Sequence, residues 1–419
     1  MPKKQKTKKN EANKKKGENK KQKQKQQKNK KTEIEKKNKG ESKKQNQKQQ
    51  NNKTTEIETK NSNTFNNQKK QKTNNKKNDQ KNKDLPKGLI NLGYSCYMNS
   101  ILQCFFHIKK LREYFILKKN EFDDNDQPLS KALSDVLDKL KNGKEQNFKP
   151  ITFRQAIGKM NSLFSENKPA DAKDLFFHLI DSLINELSSD NEQSFSREPC
   201  LTDKSEMFEE AKKEVDENII NELFIGYYET IYQCPINENI YSFQNDSFIL
   251  FDLEKISKKM NEPDLSLKLC FKYYYQKISG TSFYCGLCKK IHESECFNKI
   301  YRPPEILVII LDRGHGKTFK GRVEFEPTLD LNHSVDEKDY KSKSKYKLIC
   351  ISTHSGDSSS KGHYTACCLN EKKGIYYYFS DDYVIPIEEN ELYDYKPYLL
   401  FYQRLEINNN FEDIKNNNK

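Results

Sequence analysis

NLGYSCYMNSILQ, residues 91–103, is the stretch on which the reading of this chain turns. It places one cysteine, Cys96, behind a glycine and a serine and ahead of an apolar run. Ile101, Leu102, Phe105, Ile108, Leu111 and Phe115 recur at helical spacing, which predicts a helix over Ser100–Leu117. Gly93 permits a tight turn without Cβ strain. A cysteine just ahead of a helix meets free N–H groups and the positive end of the dipole, which favours a thiolate and lowers the thiol pKa. Asn91, upstream, can aim its amide at an oxyanion. On spacing alone, a small buried cysteine is a commoner outcome than a nucleophile.

Before this stretch the composition is quite different. Residues 1–84 hold 30 lysines against nine acidic residues, a balance of +21, while the remaining residues carry −7. The overall +14 therefore describes a tail rather than a folded domain. Rich in Lys, Asn, Gln and Glu, the tail cannot bury enough apolar surface to offset its ordering entropy, so it is expected to be disordered. Its charge can reach nucleic acid or other acidic surfaces, although a solvated tail is the simpler reading. It has no secretory h-region, and the chain has no stretch of the ~20 apolar residues that a membrane span needs. Eleven cysteines, an odd number in a long chain, point to reduced thiols inside the cell, in cytoplasm or nucleus. Cys104, Cys270, Cys350, Cys367 and Cys368 lie in apolar runs and read as buried hydrophobes.

After Cys96 the chain reads as helices and then strands. Thr152 is a candidate N-cap for a short helix over Phe153–Leu163, and Asp171–Leu187 carries an apolar stripe. Residues 188–205 read as a loop, and Met207–Leu223 as an acidic helix. YYETIYQC, SFILFDL, LKLCFKYYYQKI and ILVIILDR are strand-like. Following a charged loop at 332–345, YKLICIST, HYTACCL, GIYYYFS, YVIPI and YLLFYQRL predict five consecutive strands. Residues 405–419 form a polar tail. This order predicts an α+β domain over 85–404 with segregated layers.

Two distant elements complement Cys96. In HSGDSSSKGHY, 354–364, His363 stands between Gly362 and a strand, a setting that suits a general base; His354 is the weaker candidate. In FSDD, 379–382, Ser380, Asp381 or Asp382 can hold the second imidazole nitrogen.

With these residues in view, GLINLGYSCYMNSILQ resembles the Cys box of the ubiquitin-specific proteases. HSGDSSSKGHYTA, followed by YYYFSDDYVIPI and YLLFYQR, resembles their His box. The resemblance covers about residues 86–404. It implies a papain-like cysteine protease with thumb, palm and β-rich fingers (roughly 225–300) that hydrolyses the bond after the C-terminal glycine of ubiquitin in its conjugates. Its partners would be ubiquitin and ubiquitinated proteins, and catalysis would need no cofactor. Position by position, Cys96 matches the nucleophile, His363 the base and Asn91 the oxyanion side chain. Ser380 stands where Asn or Asp is usual, and Asp381 matches the neighbouring aspartate. Gly362 and Tyr364 match the glycine channel, and His354 lies on the same substrate side. Asp171, in the looser match PADAKDLF, stands for the residue that binds the basic tail of ubiquitin. The departure at Ser380 implies a slower enzyme or a larger share of the work for Asp381. It also leaves room for a ubiquitin-binding scaffold of the same fold.

Cys285 and Cys288 form a CxxC, a usual zinc knuckle. The family's other pair would be Cys234 and residue 237, but that residue is Asn237. Three thiolates and an amide make a poor closed site, so a fourth ligand to a structural zinc would have to come from Cys296 or His292; the alternative is a decayed site whose finger strands hold without metal.

Overall fold

Apolar periodicity sets the helical half of the molecule. The computed structural model describes residues 85–405, except 166–167, 189–202, 237–238, 315–317, 333, 336–342 and 359–360. The basic segment 1–84, the tail 406–419, Asn237 and parts of the loops at 188–205, 332–345 and 355–361 thus lie outside the described residues.

Helix α1 (Cys96–His107) is buried on nearly every side, with Met98, Ile101, Leu102 and Phe105 in the core. It begins earlier than the spacing suggests, because Ser95 O accepts from Asn99 N at 3.0 Å. Cys96 is thus its first residue. The expected single helix breaks at Ile108, which is extended (φ −82°, ψ 102°), and resumes as α2 (Lys109–Leu117). Leu111 and Phe115 of α2 are buried, and α2 lies against α3 (Pro128–Asn142), whose buried face includes Leu129, Leu133, Val136, Leu137 and Leu140. Helix α4 (Ile151–Met160) starts after Pro150, two residues before the expected cap. Helix α5 (Ala172–Leu187) is capped by Asp171, whose carboxylate accepts from Lys173 N at 2.9 Å.

The acidic helix expected over 207–223 is two helices, α6 (Lys204–Lys213) and α7 (Ile219–Phe224), the second capped by Asn218. Helix α8 is Leu253–Met260, and α9 is Leu267–Tyr274. The latter corrects the strand expected for LKLCFKYYYQKI. Leu267, Cys270 and Phe271 are buried at helical spacing, and Ser266 caps the first turn.

Strands of three or more residues are β1 (Gly226–Gln233), β2 (Asn239–Asp246), β3 (Ile249–Asp252), β4 (Ile278–Cys285), β5 (Lys290–Arg302) and β6 (Ile306–Asp312). They continue as β7 (Thr328–Asp330), β8 (Lys345–Ser358), β9 (Lys361–Asn370), β10 (Ile375–Ser380), β11 (Tyr383–Ile387) and β12 (Pro397–Arg404). The large sheet runs β11-β10-β9-β8-β12-β6-β3, with β7 against β8; along it, β3 and β6 pair in parallel. The second sheet, β2-β1-β5-β4, is antiparallel and spans the region where the fingers are expected, with β3, α8 and α9 interposed in sequence. The five expected C-terminal strands are β8–β12, and the α+β expectation holds.

Helix α1 lies against β8 and β9, where Ser100 Oγ and Ser352 Oγ meet at 3.1 Å. The register of β8 and β9 sets His354 opposite Tyr364 and Ser355 opposite His363. Ser380 pairs with Tyr383, so Asp381 and Asp382 alone join β10 to β11. Among the described residues no helix is long and apolar enough to cross a membrane.

Candidate active site and a second thiol cluster

The turn into α1 needs unusual backbone. Gly93 (φ 80°) and Tyr94 (φ 51°) are both left-handed, a region that glycine enters without Cβ strain. Ser95 locks the turn. Its Oγ accepts from Leu92 N at 2.8 Å, and Asn91 Oδ1 accepts from Ser95 N at 3.1 Å. Cys96 emerges half-buried at the helix start. Burial pushes its thiol pKa up from 9.0; a backbone hydrogen bond from Tyr364 pulls it down, and the nearby Asp381 carboxylate raises it again. The net direction is upward, which corrects the expectation that the helix terminus lowers it. Desolvation of the sulfur outweighs the N–H groups that face it.

His363 stands on β9 beside Tyr364, the residue whose backbone reaches the Cys96 sulfur. Its Nε2 lies 2.9 Å from Ser380 Oγ and 3.9 Å from Asp381 Oδ2. Asp381 is left-handed (φ 54°), in keeping with a two-residue hairpin turn. Its carboxylate is a hub. Oδ2 accepts from Asn91 Nδ2 at 2.9 Å, Oδ1 accepts from Asn99 Nδ2 at 2.8 Å, and the backbone oxygen accepts from Leu89 N at 3.0 Å. The structure therefore brings Asn91, Cys96, His363, Ser380 and Asp381 together.

Three contributors go unread in the sequence. Asn99, one helical turn beyond Ser95, fastens α1 to Asp381 and also donates to Leu89 O at 3.1 Å. Gly88 lets the chain pass so close to the hairpin turn that a Cβ there would sit 2.7 Å from Asp382 Cα. Tyr398, on β12, donates its hydroxyl to Asp171 Oδ1 at 2.7 Å. The partner of Tyr398, Asp171, is legible in the sequence, but it lies 227 positions away, so the pairing itself is not.

A wall of rings leads away from the cysteine. His354 is 4% exposed, its ring centroid 4.3 Å from that of Tyr364, and Tyr364 is 6.0 Å from Tyr398. A Cβ on Gly362 would strike His354 Nε2 at 2.5 Å, so this position accepts only glycine without displacement. Beyond Tyr398 opens a cleft of about 900 Å³. Asp171, Asp174, Asp252, Glu254 and Asp312 line it, against Lys168, Lys173 and Arg313. Lys173 Nζ is 3.0 Å from Asp312 Oδ2. Burial and the Asp171 carboxylate push the Asp174 carboxyl above its usual range.

The second sheet carries a separate cluster. Ligand atoms of Cys234, Cys285, Cys288 and His292 all lie within 4.8 Å of one another. The Cys234 and Cys288 sulfurs are 3.5 Å apart, and His292 Nε2 is buried with no hydrogen-bond partner. Sulfurs around tetrahedral zinc are about 3.8 Å apart, from Zn–S bonds of ~2.3 Å. Three thiols and one imidazole therefore fit a structural metal. Of the two alternatives for the fourth ligand, His292 joins the cluster, while Cys296 Sγ is occupied with Thr281 Oγ1 at 3.4 Å.

A cysteine at a buried helix start, with a histidine on the strand against which that helix packs, is the layout of papain-like cysteine proteases. The profile of the family "Ubiquitin carboxyl-terminal hydrolase" matches residues 87–402, so the chain belongs to that family. It is 30% identical over 236 residues to ubiquitin carboxyl-terminal hydrolase 12 of Saccharomyces cerevisiae, covering 46% of this chain and 19% of the relative. It is 26% identical over 324 residues to ubiquitin carboxyl-terminal hydrolase 4 of Arabidopsis thaliana, covering 72% and 86%. With human ubiquitin carboxyl-terminal hydrolase 2 the identity is 26%, covering 75% and 54%. The chain thus spans about a fifth of the yeast relative and about half of the human one. In fold it is similar to the SAGA Ubp8/Sgf11/Sus1/Sgf73 DUB module bound to ubiquitin aldehyde, with TM-score 0.59 and 23% identity, covering 77% of this chain and 70% of that one.

Proposed function

We propose that the chain is a thiol-dependent deubiquitinase, and that Cys96, His363, Ser380, Asp381 and Asn91 carry the chemistry. The observation that carries this reading is the linkage of Cys96, through Tyr364, to a histidine whose far nitrogen rests on Ser380 at 2.9 Å. With Nε2–H donating to Ser380, Nδ1 keeps the lone pair and takes the Cys96 proton as substrate binds. The thiolate attacks the terminal glycine carbonyl of ubiquitin. The Cys96 N–H and the second N–H of Asn91 Nδ2, whose first is held by Asp381, receive the oxyanion. His363 then returns the proton to the leaving amine, and water cleaves the thioester.

The acidic cleft suits a basic, extended tail. A guanidinium between Asp171 and Asp174 would relieve the carboxylate crowding that raises Asp174. Gly362, Tyr364 and His354 would wall the narrow passage that admits a glycine pair. In the second sheet, Cys234, Cys285, Cys288 and His292 would hold zinc, which there would fix the strands and take no part in catalysis. Ten free cysteines among the described residues support a reducing cytoplasmic or nuclear setting.

The test is turnover of ubiquitin carrying a fluorescent amine on its C-terminal carboxyl. Hydrolysis lost in Cys96→Ala supports the reading. Binding of ubiquitin without turnover would instead favour the scaffold reading, to which the raised Cys96 pKa lends some weight.

A further inference from the structure

The face of α1 that carries Cys96 carries Ser100 and Cys104 at successive four-residue steps. Ser100 meets Ser352 on β8 at 3.1 Å. One turn further on, Cys104 meets Cys350 of β8 and Cys368 of β9. These two strand cysteines stand directly opposite each other in the register, and Cys350 Sγ donates to Cys104 O at 3.7 Å. Three sulfurs from three different elements thus converge within 4.8 Å of one another, and all three residues are 0% exposed. Cys367, the neighbour on β9, pairs with Ile351 and so points to the other face of the sheet. None of the proposed catalytic steps uses these thiols.

We propose that Cys104, Cys350 and Cys368 form a closed three-sulfur site for a trivalent thiophilic centre of the arsenite class. Soft sulfur ligands select thiophilic centres. The charge of the loaded site decides among them. Zinc normally demands a fourth ligand. With three thiolates, a divalent ion leaves one net negative charge and a monovalent ion leaves two. An uncompensated charge in a site closed to water is strongly disfavoured. A trivalent centre with three thiolates is neutral. The reaction balances without a redox step. As(OH)3 and three thiols form three As–S bonds, breaking three As–O and three S–H bonds, and three water molecules leave. Neutral reactants give a neutral product.

With no exposed sulfur, entry requires a local opening of α1 from β8 and β9. Loading is therefore slow, and the bound centre ties α1 to both strands.

The test uses the full chain carrying Cys96→Ser and Cys285→Ser, which removes the half-buried nucleophile and disables the cluster of the second sheet. After incubation with sodium arsenite and removal of excess, intact mass should show one arsenic gained with three protons lost. X-ray absorption should show three sulfur neighbours and no oxygen. Adding Cys368→Ala or, separately, Cys104→Ala should abolish the adduct, while adding Cys367→Ser should leave it. Thermal unfolding of each variant before treatment confirms that it is folded. The proposal is overturned by no adduct, by fewer than three sulfur neighbours, or by an adduct that survives in the folded Cys368→Ala or Cys104→Ala chain.

Discussion

A hydroxyl, Ser380 Oγ, holds the His363 ring at 2.9 Å, and the nearest carboxylate, Asp381 Oδ2, stands back at 3.9 Å. The imidazole is thus oriented without a charge in direct contact. Ser380→Ala should lower kcat/KM about tenfold with the fold intact, because one orienting hydrogen bond is lost. Ser380→Asp should make His363 more basic, since an adjacent carboxylate favours the imidazolium, and should move the acid limb of the pH–rate profile to higher pH. An unmoved limb in a folded Ser380→Asp enzyme would mean that position 380 does not set the basicity of the ring.

Asp381 serves as an anchor as much as a charge. It accepts from Asn91 and Asn99 and so fixes the side chain proposed for the oxyanion and α1 together. Asp381→Ala should cost about 2–4 kcal/mol in urea unfolding, because two amides lose their acceptor, and turnover should fall about 100-fold. Loss of turnover with unchanged stability would mean that the carboxylate acts only on His363.

The pH dependence of Cys96 follows from its burial. Burial raises the thiol above its ordinary range, which favours the thiol over the thiolate in the free enzyme. Iodoacetamide labelling of Cys96, followed by peptide mass spectrometry, should therefore still be rising with pH where an ordinary thiol has begun to level off. A labelling rate already level between about pH 6 and 8 would show a preformed thiolate and refute the desolvation argument.

His107 provides an acid limb to stability. Burial holds its pKa down at about 4, from 6.5, with Nδ1 2.8 Å from Gln103 O. The unfolded chain therefore binds the proton first, and stability present above pH 6.5 is lost as pH falls towards 4. At about 1.4 kcal/mol per pH unit this amounts to roughly 3 kcal/mol. The pH slope of thermal unfolding should flatten in His107→Gln; an unchanged slope would assign the acid lability elsewhere.

How much of this site is legible in the sequence depends on whether its partners are local. The Cys96 turn and the order of Cys96, His363 and Ser380 can be read because each lies in a short, patterned stretch. The C-terminal strands are legible for the same reason. Asn99 is not, because its role exists only once it meets Asp381, 282 positions further along the chain. Gly88 is hidden in the same way, since only the folded chain sets it against Asp382. The helix at 267–274 reads as a strand because its tyrosines mimic strand composition, whereas burial follows Leu267, Cys270 and Phe271. The Cys96 pKa reads as lowered because a helix terminus is visible in sequence and desolvation is not. Cys104, Cys350 and Cys368 each look like ordinary core residues; only the β8–β9 register under α1 gathers them.

The proposed chemistry stands or falls on Cys96 attacking the ubiquitin C-terminus under the control of His363. Reaction of the full chain with ubiquitin bearing a C-terminal electrophile, read by intact mass, addresses that step alone. One adduct should form on Cys96, absent in Cys96→Ala and slowed in His363→Ala. No adduct with the unaltered chain, or an adduct that persists in Cys96→Ala, would show that Cys96 is not the nucleophile.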